Sequence, residues 1–201
     1  MIKTYIIGER SYLSKNLKNN IKNSEIYSLN DLLKKKSFNE KKINIIYNHG
    51  YPLFKLAISI NYQKIVEAHI HKIILFLKFF KKKNLKIKTL IFSSSSSVYG
   101  VNYNQKDFSV VDRNLNIYRA SKLLAEQLLI SYKKIFNYNL VIARIFNIYG
   151  ENEKNSLISK IIKSKKLNKK IIIYNNGNSY RDFIHVDDVV LIYKKILIKN
   201  N

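Results

Sequence analysis

A chain of 201 residues, 46% of them hydrophobic, can bury one sizeable core, so residues 1–201 read as a single domain. The absence of cysteine excludes a disulfide framework and a thiolate metal site and fits a reducing compartment. A formal net charge of +24 invites a nucleic-acid reading, but all except five of the 37 basic residues are lysines, scattered along a chain rich in Ile, Asn and Tyr, whereas base readers favour the bidentate fork of arginine.

Strand-forming and helical runs alternate from end to end. The first strand, Lys3–Ile7, leads to a helix over Leu13–Ile21, a strand at Glu25–Ser28 and a helix over Leu32–Ser37. The apolar stretch before Glu9 and Arg10 is too short for a signal peptide. A strand at Ile43–Tyr47 precedes a long helix over Leu56–Lys82. Within that helix, the stretch Ile70–Phe80 is interrupted by His71, Lys72 and Lys78 and falls short of the ~20 apolar residues of a membrane span. The lysine runs Lys34–Lys36 and Lys81–Lys83 fall at helix ends, where cations suit the dipole, so they read as solvated surface. Cytoplasm is the expected compartment, with neither membrane nor nucleic acid as partner.

A strand at Ile87–Phe92, a helix over Tyr118–Phe136, a strand at Leu140–Phe146, a helix over Ser156–Lys165, a strand at Ile171–Tyr174 and a helix over Val186–Ile198 complete the series. Such alternation predicts an α/β fold with a doubly wound parallel sheet. The unbroken Ile171-Ile172-Ile173 run reads as a strand covered on both faces. Gly8, Gly50, Gly100 and Gly150 follow strands or their extensions, and ligands of such sheets bind beyond the carboxyl ends of the strands.

The first strand opens into Gly8-Glu9-Arg10-Ser11-Tyr12-Leu13-Ser14, the strand-turn-helix position of a phosphate cradle. A dinucleotide fingerprint uses three glycines there. Only Gly8 is present; Ser11 and Ser14 hold the other places, each small and each adding a hydroxyl able to bond phosphate. An ordinary βα turn is the alternative for this stretch. After the second strand, where a carboxylate normally accepts the ribose hydroxyls, stand Asn30 and then Asp31. The lost charge, together with Arg10 in the turn, tilts the cofactor toward one with a 2′-phosphate.

Tyr118 and Lys122 open a strongly helical stretch. Residues four apart share a helix face, so the Lys122 ammonium can stabilise a Tyr118 phenolate and draw the phenol down from ~10, making it a usable general acid/base. Tyr51 and Lys55 have the same spacing but lack a serine-rich strand end before them, and Pro52 follows; that pair is read as chance. Tyr118 is preceded by the apolar strand that ends in Ser93-Ser94-Ser95-Ser96-Ser97. Its hydroxyls can hydrogen-bond a substrate alkoxide or carbonyl at the crevice.

Four segments in order, Ser93–Gly100, Tyr118–Lys122 with Glu126 and Gln127, Ala143–Gly150 and Arg181–Asp188, resemble the NAD-dependent epimerase/dehydratase family, the extended short-chain dehydrogenase/reductases. The resemblance covers nearly the whole chain and is weakest at its start. It implies a Rossmann-like NAD(P)-binding fold in which Ser95 polarises the reacting hydroxyl, Tyr118 exchanges its proton and Lys122 also holds the nicotinamide ribose. Gly8, Arg10, Ser11, Leu13, Asn30, Asp31, Tyr118 and Lys122 are then the contacts of NAD(P), with a lean to NADP. Ser96, Asn147 and Arg181 face a nucleoside-diphosphate sugar, Arg181 its diphosphate. The resemblance also implies a homodimer through the outer side of the Leu56–Lys82 helix. The family's dehydratases carry Thr-Asp-Glu where this chain has Ser95, Ser96 and Ser97. Without those carboxylates, epimerase or ketoreductase chemistry, with hydride transfer at C4 of the sugar, is expected over dehydration.

His69 and His71, two apart on one helix, point to different sides and make no metal pair; a surface or interface role is expected for them. His185, Asp187 and Asp188 read as a helix opening and not as a metal cluster. The stretch Leu29–Ile43 is too short for the strand the family usually places there. The chain stops at Asn201, where family members continue into the part that closes over the sugar, so 151–201 read as a reduced substrate-binding part. Three readings stay open: an NAD(P)-dependent nucleotide-sugar epimerase or ketoreductase, an inactive nucleotide-binding relative, and a basic nucleic-acid-binding protein that only the charge favours.

Overall fold

Runs of β-branched and aromatic residues build five strands: β1 (Thr4–Ile7), β2 (Ser24–Tyr27), β3 (Lys42–Tyr47), β4 (Lys86–Ser95) and β5 (Asn139–Ile145). In the computed structural model, which describes residues 2–51, 61–83, 85–99, 116–173, 175–178 and 180–199, they form one sheet in the order β2-β1-β3-β4-β5. Every pairing is parallel. From β1 the chain moves to β2 on one side and then crosses to β3 on the other, so a crevice opens between the carboxyl ends of β1 and β3.

The helices are α1 (Tyr12–Asn20), α2 (Leu29–Lys34), α3 (Tyr62–Val66), α4 (Lys72–Lys83), α5 (Ile117–Phe136), α6 (Leu157–Lys166) and α7 (Val186–Lys199). Alternate strand residues face opposite ways, which divides the core in two. Tyr5, Ile7, Ile45, Tyr47 and Phe92 pack with Phe76 and Phe80 of α4 and Leu129 of α5. Ile6, Ile46 and Ile91 pack with Leu13 and Leu17 of α1 and Val190 and Tyr193 of α7. Burial of each such side chain contributes about 1.5–3 kcal/mol, so helices on both faces are what hold a short-stranded parallel sheet together. The expected doubly wound, Rossmann-like architecture is therefore present.

Two expectations change. The helix expected over Leu32–Ser37 begins earlier, because Ser28 caps it: its Oγ accepts the Asp31 N–H at 3.0 Å, and Lys35 is already extended. No strand forms at Ile171–Ile173, which lie exposed. The pairing goes instead to two segments too short for periodicity to reveal, β6 (Asn147–Tyr149) and β7 (Phe183–His185), which form a separate parallel pair leading into α7. The long helix is confirmed over residues 62–83, with a π-helical turn (Glu67–His71) joining α3 to α4. Pro52, Lys55, Gly100 and Tyr174, and residues 56–60 of that helix, lie outside the described residues. No strand lies between α2 and β3. Among the described residues no helix is long and apolar enough to cross a membrane, and no group of three metal-ligating side chains occurs.

Candidate active site

The strand β4 ends in serines and turns through a single 3-10 turn (Ser96–Tyr99), while α5 starts beside it under the cap of Asn116, whose Oδ1 accepts the Arg119 N–H at 3.0 Å. This brings Ser95 and Tyr118 together. The Tyr118 phenol is buried; burial pushes it up to about 12, and the nearby Ser95 hydroxyl pulls the other way. Ser95 Oγ also accepts the Ser97 N–H at 3.2 Å, which orients it. One turn along α5, Lys122 is buried, its Nζ donating to the Ser93 carbonyl at 3.2 Å and lying 5.1 Å from the Phe92 ring centroid. Burial pushes Lys122 down to about 8, opposed by the charge of Glu126. The depressed phenol expected at Tyr118 is thus corrected. Desolvation outweighs any pull of Lys122, whose ammonium is engaged by the strand carbonyl.

Two further features fix the setting of this helix. Glu126, fully buried, accepts from Arg144 on β5 through Nε (3.1 and 3.2 Å) and Nη2 (2.7 Å), and from the Ser94 hydroxyl; the guanidinium lies 4.8 Å from the centroid of the Tyr99 ring. Glu126 and Arg144 were visible only as parts of family segments. His69 is 1% exposed, which corrects the surface role expected for it: it bonds the Tyr51 N–H and the Ser121 hydroxyl. A solitary histidine on an apolar helix face carried no signal of those partners. His185 and Asp187 pair at 3.5 Å where α7 opens.

The crevice between β1 and β3 is a cleft of about 1240 Å³, large enough for a dinucleotide. Gly8, Arg10, Ser11, Asn30 and Asp31 all line it, together with Asn48, His49 and Gly50 after β3. Gly8 has φ +114°, and a Cβ there would lie 3.0 Å from the backbone of Asn48 and His49, so the turn requires glycine. The serines have internal duties. Ser11 Oγ caps α1 by accepting the Ser14 N–H at 3.4 Å, and Ser14, fully buried, accepts from the Asn48 amide at 3.0 Å. Asn48 accepts in turn from Ser93, whose hydroxyl bonds Tyr193 of α7 at 2.8 Å. The Ser14 hydroxyl expected to reach phosphate is therefore buried against Asn48, tying α1 to the loop after β3. Leu13 is in the core and does not line the cleft. Asn30 and Asp31 lie in the first turn of α2, and the Asp31 carboxylate accepts the Ser28 hydroxyl at 2.6 Å. Arg10 has 96% of its side chain exposed, 3.5 Å from Glu9. The cleft ends against α5, because a Cβ on Gly50 would sit 3.4 Å from Lys122 Nζ.

The residues expected to face the sugar are less gathered. Ser96 is half-buried just beyond Ser95. Asn147 is exposed, its amide donating to the Asp182 carbonyl at 2.9 Å, and Arg181 is exposed, its guanidinium donating to the Tyr180 carbonyl at 2.8 Å. Neither lines the cleft.

Over 121 residues the chain is 34% identical to Protein CapI of Staphylococcus aureus, a match covering 58% of this chain and 36% of that protein. It is 30% identical over 181 residues to dTDP-D-glucose 4,6-dehydratase of Dictyostelium discoideum, covering 81% and 40%. The chain spans less than half the length of these curated relatives. Among solved structures, UDP-glucuronic acid 4-epimerase from Bacillus cereus in complex with UDP-glucuronic acid and NAD superposes with a TM-score of 0.76 at 20% identity, covering 94% of this chain and 71% of that one. RMD from Pseudomonas aeruginosa complexed with NADPH gives 0.77 at 20% identity, covering 95% and 72%. At such identities these structures speak for the fold. The model of the NAD dependent epimerase/dehydratase family matches residues 8–201, and the chain belongs to that family.

Proposed function

We propose that the protein is an NAD(P)-dependent nucleotide-sugar epimerase or ketoreductase whose proton chemistry runs through Ser95, Tyr118 and Lys122. The observation that carries this reading is the Ser95 hydroxyl set beside the buried Tyr118 phenol, with Lys122 one turn along the same helix at the Gly50 end of the cleft. When bound, the nicotinamide exchanges a hydride with C4 of the sugar. Ser95 Oγ holds the oxygen of the sugar hydroxyl in line, Tyr118 Oη as phenolate takes that hydroxyl's proton to become the phenol and returns it in the reverse step, and the charge of Lys122 favours the phenolate that accepts it. At neutral pH, Lys122 with its value near 8 is mostly protonated and able to do so.

Gly8, Arg10 and Ser11 are positioned for the pyrophosphate side of the cleft and Asn30 and Asp31 for the adenosine ribose. Because Ser28 holds the Asp31 carboxylate while the exposed Arg10 stands at the rim beside Glu9, the reading leans to NADP. No carboxylate occurs in Ser95-Ser96-Ser97, which favours epimerase or ketoreductase chemistry over loss of water, although dehydratases are among the relatives. In this reading residues 1–201 act as one dinucleotide-binding unit in the cytoplasm, with 151–201 on the sugar side and Ser96, Asn147 and Arg181 turned to the nucleoside-diphosphate sugar. Exposed Tyr62 and Val66 on α3 suit a homodimer contact. A second reading, a relative that binds nucleotide without turnover, is favoured by the phenol held at about 12.

The test is a titration with NADPH and NADH followed by turnover assays on UDP-sugars. Tyr118→Phe should lower turnover by about 10²–10⁴-fold while leaving dinucleotide affinity nearly unchanged. Unaltered turnover in that variant sinks the catalytic assignment, and binding without any turnover in the parent favours the second reading.

A further inference from the structure

The mechanism above leaves a buried histidine unused. His69 lies in the π-helical turn between α3 and α4, a geometry often found at functional sites. Its hydrogen bonds determine its tautomer. The Tyr51 N–H donates to Nε2 at 3.0 Å, so that nitrogen carries a lone pair and the ring proton is on Nδ1. Nδ1–H then donates to Ser121 Oγ at 2.8 Å, and the Ser121 hydroxyl donates to the Tyr118 carbonyl at 2.9 Å. The imidazole also stands edge-on to the Tyr118 ring, with centroids 5.1 Å apart. On its other side the loop after β3 is glycine-thin: a Cβ at Gly50 would lie 3.2 Å from His69 Nε2 and 3.4 Å from Lys122 Nζ. Protonation would set a second N–H against that of Tyr51, and burial, with Lys122 and His49 nearby, keeps the ring neutral by pushing it down to about 3.

We propose that His69 is a positioning residue that clamps the cofactor loop at Tyr51 to the Tyr118 turn of α5, each ring nitrogen holding one side. The clamp rests on the reading of the cleft and Tyr118 given above. Its two arms can be cut separately. His69→Gln keeps an acceptor where Nε2 stands and loses the Nδ1 donor, His69→Asn does the reverse, and His69→Ala removes both.

Amide hydrogen exchange on the full chain, thermal melting and NADPH titration read the result. In His69→Gln, Tyr51 stays protected and NADPH affinity stays near that of the parent, while the first turn of α5 exchanges about tenfold faster. In His69→Asn the first turn of α5 recovers, Tyr51 exchanges about tenfold faster and the NADPH Kd rises about tenfold. His69→Ala shows both losses where it folds; the other two variants suffice where it does not. Equal effects of Gln and Asn, or Tyr51 exchange unchanged in Asn, overturn the clamp. The exchange measurement needs no ligand, so a parent protein that binds no dinucleotide defeats the functional reading while the clamp is still judged on Tyr51 and α5.

Discussion

Helices α1 and α6 are alike in sequence and opposite in setting. Each is short, each is opened by a serine whose Oγ accepts the N–H three residues on, Ser11 from Ser14 and Ser156 from Ser159, and each carries apolar residues at helical spacing. α1 lays Leu13, Ser14 and Leu17 on the sheet. α6 buries nothing: Leu157, Ile161 and Ile162 are 51%, 41% and 51% exposed, and the nearby Ile172 is 75% exposed. An apolar stripe therefore specifies a face and leaves its partner to the topology. The same division runs through the site. Around β1, β3 and β4 the polar groups close on one another, from Ser14 through Asn48 and Ser93 to Tyr193, whereas Asn147 and Arg181 stand exposed.

The largest expected effect tests the closed half. Glu126→Ala leaves the Arg144 guanidinium without its buried carboxylate and should cost about 2–4 kcal/mol in urea unfolding, toward the low end because the Arg144 side chain keeps 20% of its surface in water. A loss under about 0.5 kcal/mol would place this pair with ordinary surface ion pairs. Next comes a pH effect. Burial holds Lys122 at about 8 against an ordinary 10.5, so between those values the unfolded chain binds more proton than the folded one and stability rises with pH. Buried tyrosines such as Tyr118, raised to about 12, act in the opposite sense above pH 10, so the rise is cleanest between pH 8 and 10. Lys122→Met should flatten it; an unchanged slope would mean that another group is responsible. The smallest effect belongs to the open half. Ile161→Lys combined with Ile162→Lys should leave the urea midpoint within about 0.5 kcal/mol of the parent, and a larger loss would show that the face of α6 is covered in solution.

The sheet was readable because its strands are β-branched runs bounded by turns and its helices carry long periodic stripes. The nearness of Ser95 to the start of α5, where Tyr118 and Lys122 stand, was readable because a serine-ended strand precedes a helix that opens on Tyr-x-x-x-Lys. The cleft turn was half readable: Gly8 could be named, but Ser14 was assigned to phosphate when it bonds Asn48 from 34 positions away. Ile171–Ile173 misled for the same reason. Three consecutive isoleucines have the composition of a buried strand, but a strand exists only where a neighbour offers its ladder, and β5 turns instead toward the β6 and β7 pair.

What the sequence by itself determined is whatever local spacing encodes: the alternation of elements, the parallel α/β architecture, the family segments and the placing of Ser95 near Tyr118. Only the tertiary structure decided the protonation and partners of those groups. The phenol is raised because the core closes around it, Lys122 turns to the Ser93 carbonyl, and His69 finds Tyr51 and Ser121 across 18 and 52 positions of chain. Desolvation and long-range hydrogen bonds depend on what the fold brings within a few ångströms, and no spacing along the chain carries that information.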